Sequence, residues 1–195
     1  MNKLSIAFKK FDNYNLQDPV VYSFNNENFP QEYFLALKLY DWVLKLDRNA
    51  SEELLLASRS QHIGRWQIPR SQYPEGRNGY LDWRRDLAKF HAEKSSEILK
   101  EVGYDLKTIS RVNELILKKK IKVDPEVQLL ENALCLVFLE FQYEDFYPRY
   151  EPDKIVNILR KSLLKMDKAG HEHALTLKYS EEGANHIRKA LELIS

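Results

Sequence analysis

Seven consecutive apolar residues, Ala133-Leu134-Cys135-Leu136-Val137-Phe138-Leu139, lie shortly after an Asp124-Pro125 pair. Asp followed by Pro is an N-cap and first-turn signal, so this stretch predicts a helix. A helix that is apolar on every side cannot sit at a surface. The rest of the chain must therefore supply helices to cover it. The chain does carry them: residues 31–46 place Phe34, Leu35, Leu37, Leu39, Trp42, Val43 and Leu46 near a 3.6-residue period. Ser51 caps a second predicted helix running to about Trp66, and a third spans about Tyr80 to Val102, ending at Gly103. Asp105 opens a fourth, Asp124 the fifth, Glu151-Pro152 a sixth and Ser180 a short last one.

Strand signals are confined to Val20-Val21-Tyr22 and Leu175-Thr176-Leu177, and neither stands in a βαβ frame. The expectation is an all-α, single-domain helical bundle over residues 1–195. Residues 1–30 form an irregular lead packed on a helical core of residues 31–195. Thirty basic against twenty-nine acidic residues give a net charge of +1, which argues against a polybasic nucleic-acid binder. The run Lys118-Lys119-Lys120-x-Lys122 reads as a solvated helix end with cations favourable to the dipole. No apolar stretch approaches the roughly 20 residues needed to span a bilayer, and the N-terminus lacks the apolar core of a secretory signal. The single cysteine, Cys135, leaves no internal disulfide and reads as a small core residue. A cytoplasmic location is the matching expectation.

The chemistry concentrates between residues 59 and 91. His62 shares a helix face with Arg59, Arg65 and Trp66, and His91 shares one with Arg84. The loop between those helices carries Arg70, Arg77 and Tyr73, with Tyr80 beside it. Five arginines thus flank two histidines. Guanidinium forks suit phosphate or carboxylate groups, and Trp66, Tyr73 and Tyr80 can stack on a base. Neutral imidazoles with a buried carboxylate such as Glu131 suit a transition metal. His186 reads as a surface residue.

Several of these segments are shared with a known family. Asp12-x-x-Asn15-x-x-Asp18-Pro19, Gln61-His62-Ile63-x-Arg65-Trp66-x-Ile68-Pro69-Arg70, Gly79-Tyr80-Leu81-x-Trp83-Arg84 and Phe90-His91-Ala92 resemble domain of unknown function family 4202. So do Gln128-x-Leu130-Glu131-Asn132 and Gly170-His171. More remotely, Leu54-Leu55-Leu56-Ala57 leading to Gln61-His62-Ile63-Gly64-Arg65 resembles the apolar helix and His-Asp motif of HD-domain phosphohydrolases. That resemblance implies an HD-like all-α fold and a divalent metal (Zn, Mn, Fe or Ni) on His62, His91, Glu131 and Asn132. Glu32 and His171 stand as secondary candidates. Gln61-His62 replaces the His-Asp pair, and Asn132 replaces the final acid. No organic cofactor is indicated.

Three readings follow. One is a metal-dependent phosphohydrolase acting on a small phosphorylated compound or nucleotide, its phosphate held by the arginines. The second is a binding protein for a phosphate- or carboxylate-bearing ligand that lacks the catalyst. The third is a structural or interaction protein, with the amphipathic helix near Asp153 to Met166 as a homodimer face. A small anionic ligand is the expected partner, with neither nucleic acid nor membrane.

Overall fold

The computed structural model describes residues 2–194 and is all-α apart from one hairpin. Its contacts gather into two compact units, Met1–Lys119 and Lys120–Ser195.

The first unit opens on α1 (Lys3–Asn15), the hairpin strands β1 (Val21–Phe24) and β2 (Glu27–Pro30), and α2 (Gln31–Leu46). It continues with α3 (Glu52–Ser60), α4 (Gly76–Val102) and α5 (Leu106–Ile116). The lead is therefore regular, which corrects the irregular segment expected for residues 1–30. Its order has local causes. Asn2 accepts a hydrogen bond from the Ser5 amide and caps α1. Asn25 and Asn26 both adopt positive φ, as a two-residue type I′ hairpin turn requires. The hairpin rings of Tyr22, Phe24 and Phe29 gather on Phe34 of α2, with centroids 4.7, 5.1 and 5.4 Å away.

Helix α1 packs on α2, α3 and α4, and α5 packs on α3 and α4. Phe11, Val43, Leu54, Leu56, Leu99, Val112 and Leu115 are fully buried between them. The second predicted helix stops earlier than expected, at Ser60, because the chain turns at Gly64 with φ +68°. A side chain there would strike the Tyr14 and Phe90 rings at 2.8 and 2.9 Å. Short 3-10 turns at Arg65–Gln67 and Arg70–Gln72 then lead into α4.

The second unit holds α6 (Pro125–Phe141), α7 (Tyr143–Phe146), α8 (Pro152–Leu163), α9 (Lys168–Leu175) and α10 (Glu181–Glu192). Asp124 caps α6 through the Glu126 and Val127 amides. Leu130, Ala133 and Leu136 of α6 are fully buried, and Cys135 is a core residue. The apolar face of α8 (Ile155, Leu159, Leu163) is buried, and α8 packs on α10. Residues 175–177 form no strand, because Leu175 ends α9, a helix capped by Asp167. His186 is buried rather than superficial: it stands against Tyr143 and Tyr147, Nδ1 3.4 Å from the Tyr143 hydroxyl. Among the described residues no helix is long and apolar enough to cross a membrane.

Candidate functional site

His62 lies in the turn after α3, and His91 lies halfway along α4. Their rings stand 5.7 Å apart, centroid to centroid. Both border a cavity of about 70 Å³ in the first unit. Arg65, Arg84 and Lys118 line the same cavity, with Gln61 and a wall of Leu87, Ala88, Ile116 and Leu117. The cations and the apolar wall together make a small, positively charged recess.

Three residues of the lead hold the elements of this recess in place. Asn15 Oδ1 accepts the Gly64 amide at 3.2 Å, next to His62. Asp18 is buried and accepts the Val20 and Glu32 amides, each at 2.9 Å, fastening the start of α2. Asp12 binds Arg59, whose guanidinium also lies over the Phe8 and Tyr40 rings.

The polar atoms at the cavity have assigned roles. His91 Nδ1 lies 2.8 Å from the Ile63 carbonyl oxygen, so Nδ1 carries the proton and Nε2 is the free acceptor. Burial, opposed only in part by that bond, holds the His91 pKa down at about 4. Gln61 Nε2 donates to the Ile116 carbonyl at 3.1 Å, which turns Oε1 away from it. His91 Nε2 and Gln61 Oε1 are buried with no hydrogen-bond partner.

His62 keeps an open edge, with 30% of its side chain accessible. Its dense surroundings, and then Arg65, His91, Arg84 and Lys118, push its pKa well below the usual histidine range. Glu32, buried at the start of α2, stands 3.9 Å from His62 Nδ1 and 3.7 Å from Arg65 Nε. Burial raises its pKa to about 7, although Arg65 pulls the other way. Arg65 lies over the Trp83 ring at 5.0 Å, and burial lowers its pKa. Arg84 has no carboxylate at ion-pair distance among the described residues.

The family model for a domain of unknown function, DUF4202, matches residues 5–187. The chain belongs to this family. Neither a curated protein nor a solved structure matches it.

Within this DUF4202 chain the candidate residues fall into separate groups. Arg65 and Arg84 reach the cavity with His62 and His91, while the other three arginines do not line it. Arg59 is committed to Asp12. Arg70 donates to the carbonyls of Tyr73 and Pro74, each at 2.8 Å, and so shapes its own loop. Arg77 is exposed in the first turn of α4. Trp66 packs against Tyr14, Tyr73 donates to Asp86, and Tyr80 is largely exposed beside Trp83.

Glu131 and Asn132 belong to the second unit. Glu131 faces Lys165 at 3.7 Å. Asn132 donates to Asp167 at 2.8 Å and accepts from Gln128 at 3.0 Å, so its amide is used in holding α9. His171 donates from Nε2 to the Leu163 carbonyl at 2.7 Å. Among the described residues no three His, Cys, Asp or Glu side chains converge closely enough to hold a metal ion.

Lys118 is the cavity residue that sequence reasoning placed elsewhere, as part of a solvated basic run. Its backbone explains its position. It takes φ +54° in the left-handed turn that ends α5, donating to Leu115, while the next amide donates to Glu114. Lysine seldom occupies that turn, which normally takes glycine.

Proposed function

We propose that the protein binds a small compound bearing a phosphate or carboxylate group, with that group seated among Arg65, Arg84 and Lys118. One observation carries this reading: three cations and two neutral histidines border one recess, and Arg84 has no carboxylate partner there. An arginine set beside other cations with no carboxylate of its own is electrostatically unfavourable, and an anion seated there relieves the repulsion. The cavity is about 70 Å³, far below the roughly 300–1,000 Å³ of pockets that enclose a whole ligand. It suits a terminal anionic group with the rest of the ligand outside. A thermal-unfolding screen with inorganic phosphate, sugar phosphates, nucleotides and dicarboxylates tests it. Ligands that bind the folded chain raise the unfolding temperature in a concentration-dependent way, and no shift with any anion would remove the reading.

A metal-dependent phosphohydrolase is the second reading, and one observation favours it. His91 binds a backbone carbonyl through Nδ1 and leaves Nε2 bare, as metal-ligating histidines do. Metal content of untagged protein, measured beside His62→Ala, decides it. Near-stoichiometric metal that is lost in the variant would move this reading ahead of the first.

A further inference from the structure

The recess presents two kinds of polar group, and an ordinary anion satisfies only one of them. Arg65, Arg84 and Lys118 offer positive charge. Gln61 Oε1 and His91 Nε2 offer lone pairs; both residues line the same cavity, with 4% and 2% exposure. Neither orientation is free to reverse. A flipped Gln61 would set its carbonyl against the Ile116 carbonyl, and the other His91 tautomer would set a lone pair against the Ile63 carbonyl. Buried acceptors without a partner are uncommon and destabilising, so each calls for a donor.

We infer that the recess selects a phosphoryl group that still carries a proton, and rejects oxyanions that carry none. The inference rests on the anion-binding reading and narrows it. The negative oxygens of a protonated phosphate meet the cations, and its P–OH groups donate to Gln61 Oε1 and His91 Nε2. Dihydrogen phosphate supplies one hydrogen to each acceptor. Sulfate, a carboxylate or a phosphodiester brings only lone pairs at neutral pH, and these would face the two acceptors. Each such clash costs on the order of tenfold in affinity.

Isothermal titration calorimetry of the full chain tests this near pH 6, where phosphate keeps at least one proton. Inorganic phosphate and sulfate are compared at matched ionic strength. Phosphate should bind at least about tenfold more tightly. Sulfate binding as well as phosphate would overturn the inference while leaving the anion-binding reading intact. Binding of neither would remove that reading and the inference with it. Dimethyl phosphate, which has no proton to donate, should behave as sulfate does; binding equal to that of phosphate would also overturn the inference. Methyl phosphate separates the sources: its binding points to a monoester, and binding of inorganic phosphate alone points to the free ion, both in support. Gln61→Met removes one acceptor and should shrink the phosphate-to-sulfate ratio. The wild-type comparison needs no variant, so it stands even if Gln61→Met does not fold.

Discussion

The Ile63 carbonyl oxygen lies 2.8 Å from His91 Nδ1 and thereby sets which nitrogen of a buried imidazole is left as the free acceptor. The bond joins the turn after α3 to the middle of α4. It positions the ring and holds it in the Nδ1–H form. Nitrogen-15 NMR of the imidazole should show that tautomer at neutral pH, with protonation only near pH 4. An Nε2–H tautomer, or titration near the unperturbed histidine value, would contradict the site as described.

Glu32 supplies a pH dependence of known sign. Burial raises its pKa from 4.5 to about 7. The folded state therefore holds the proton more tightly than the unfolded state between those values, and this group's contribution to stability falls as pH rises through that window. The two histidines act oppositely, because their folded pKa values lie below the unfolded ones. Their contribution is full above the unfolded histidine value and is lost as pH falls below it. Glu32→Gln isolates the carboxyl. The unfolding free energy of the variant minus that of wild type should rise by about 3 kcal/mol from pH 4.5 to 7, measured by urea titration. A flat difference would contradict the assignment.

Gly64 turns the chain beside His62 at φ +68°, with the Tyr14 and Phe90 rings against it. An alanine there meets both a left-handed backbone penalty and a packed wall. Gly64→Ala should destabilise the protein by about 2–4 kcal/mol, read by chemical denaturation. A change under about 0.5 kcal/mol would mean that the turn is looser than described.

Much of the fold is legible in the sequence because its signals are local. Asp124-Pro125 starts α6 and Gly103 ends α4 at φ +89°, each as cap chemistry requires. The site is legible only in part. Periodicity places Arg59, His62 and Arg65 on one helix face, but α3 ends at Ser60, and Asp12 draws Arg59 away from the recess. Asp12, Asn15 and Asp18 act on Arg59, Gly64 and Glu32, partners that lie far along the chain and that no local pattern reveals. Glu32 ranks low by spacing for the same reason. Lys118 is hidden among lysines, and since Lys120 and Lys122 share its positive φ, only its place in the recess lining sets it apart.

That backbone position lets glycine replace Lys118 without backbone strain. Lys118→Gly suits the left-handed turn, so stability should change by less than about 1 kcal/mol. Affinity for phosphate should nevertheless fall by roughly tenfold, the order expected for one lost charge-assisted contact. Calorimetry and denaturation on the same sample check both halves. Unchanged affinity would take Lys118 out of the recess.

The most direct test of an anion seat in the first unit is the phosphate affinity of Arg84→Met beside that of Arg77→Met, by calorimetry. Arg84 lines the recess, and Arg77 is exposed at the start of α4. Loss of Arg84 should weaken binding at least about tenfold, and loss of Arg77 should leave it within about twofold. Equal affinities in the two variants, or a larger loss with Arg77→Met, would contradict the account.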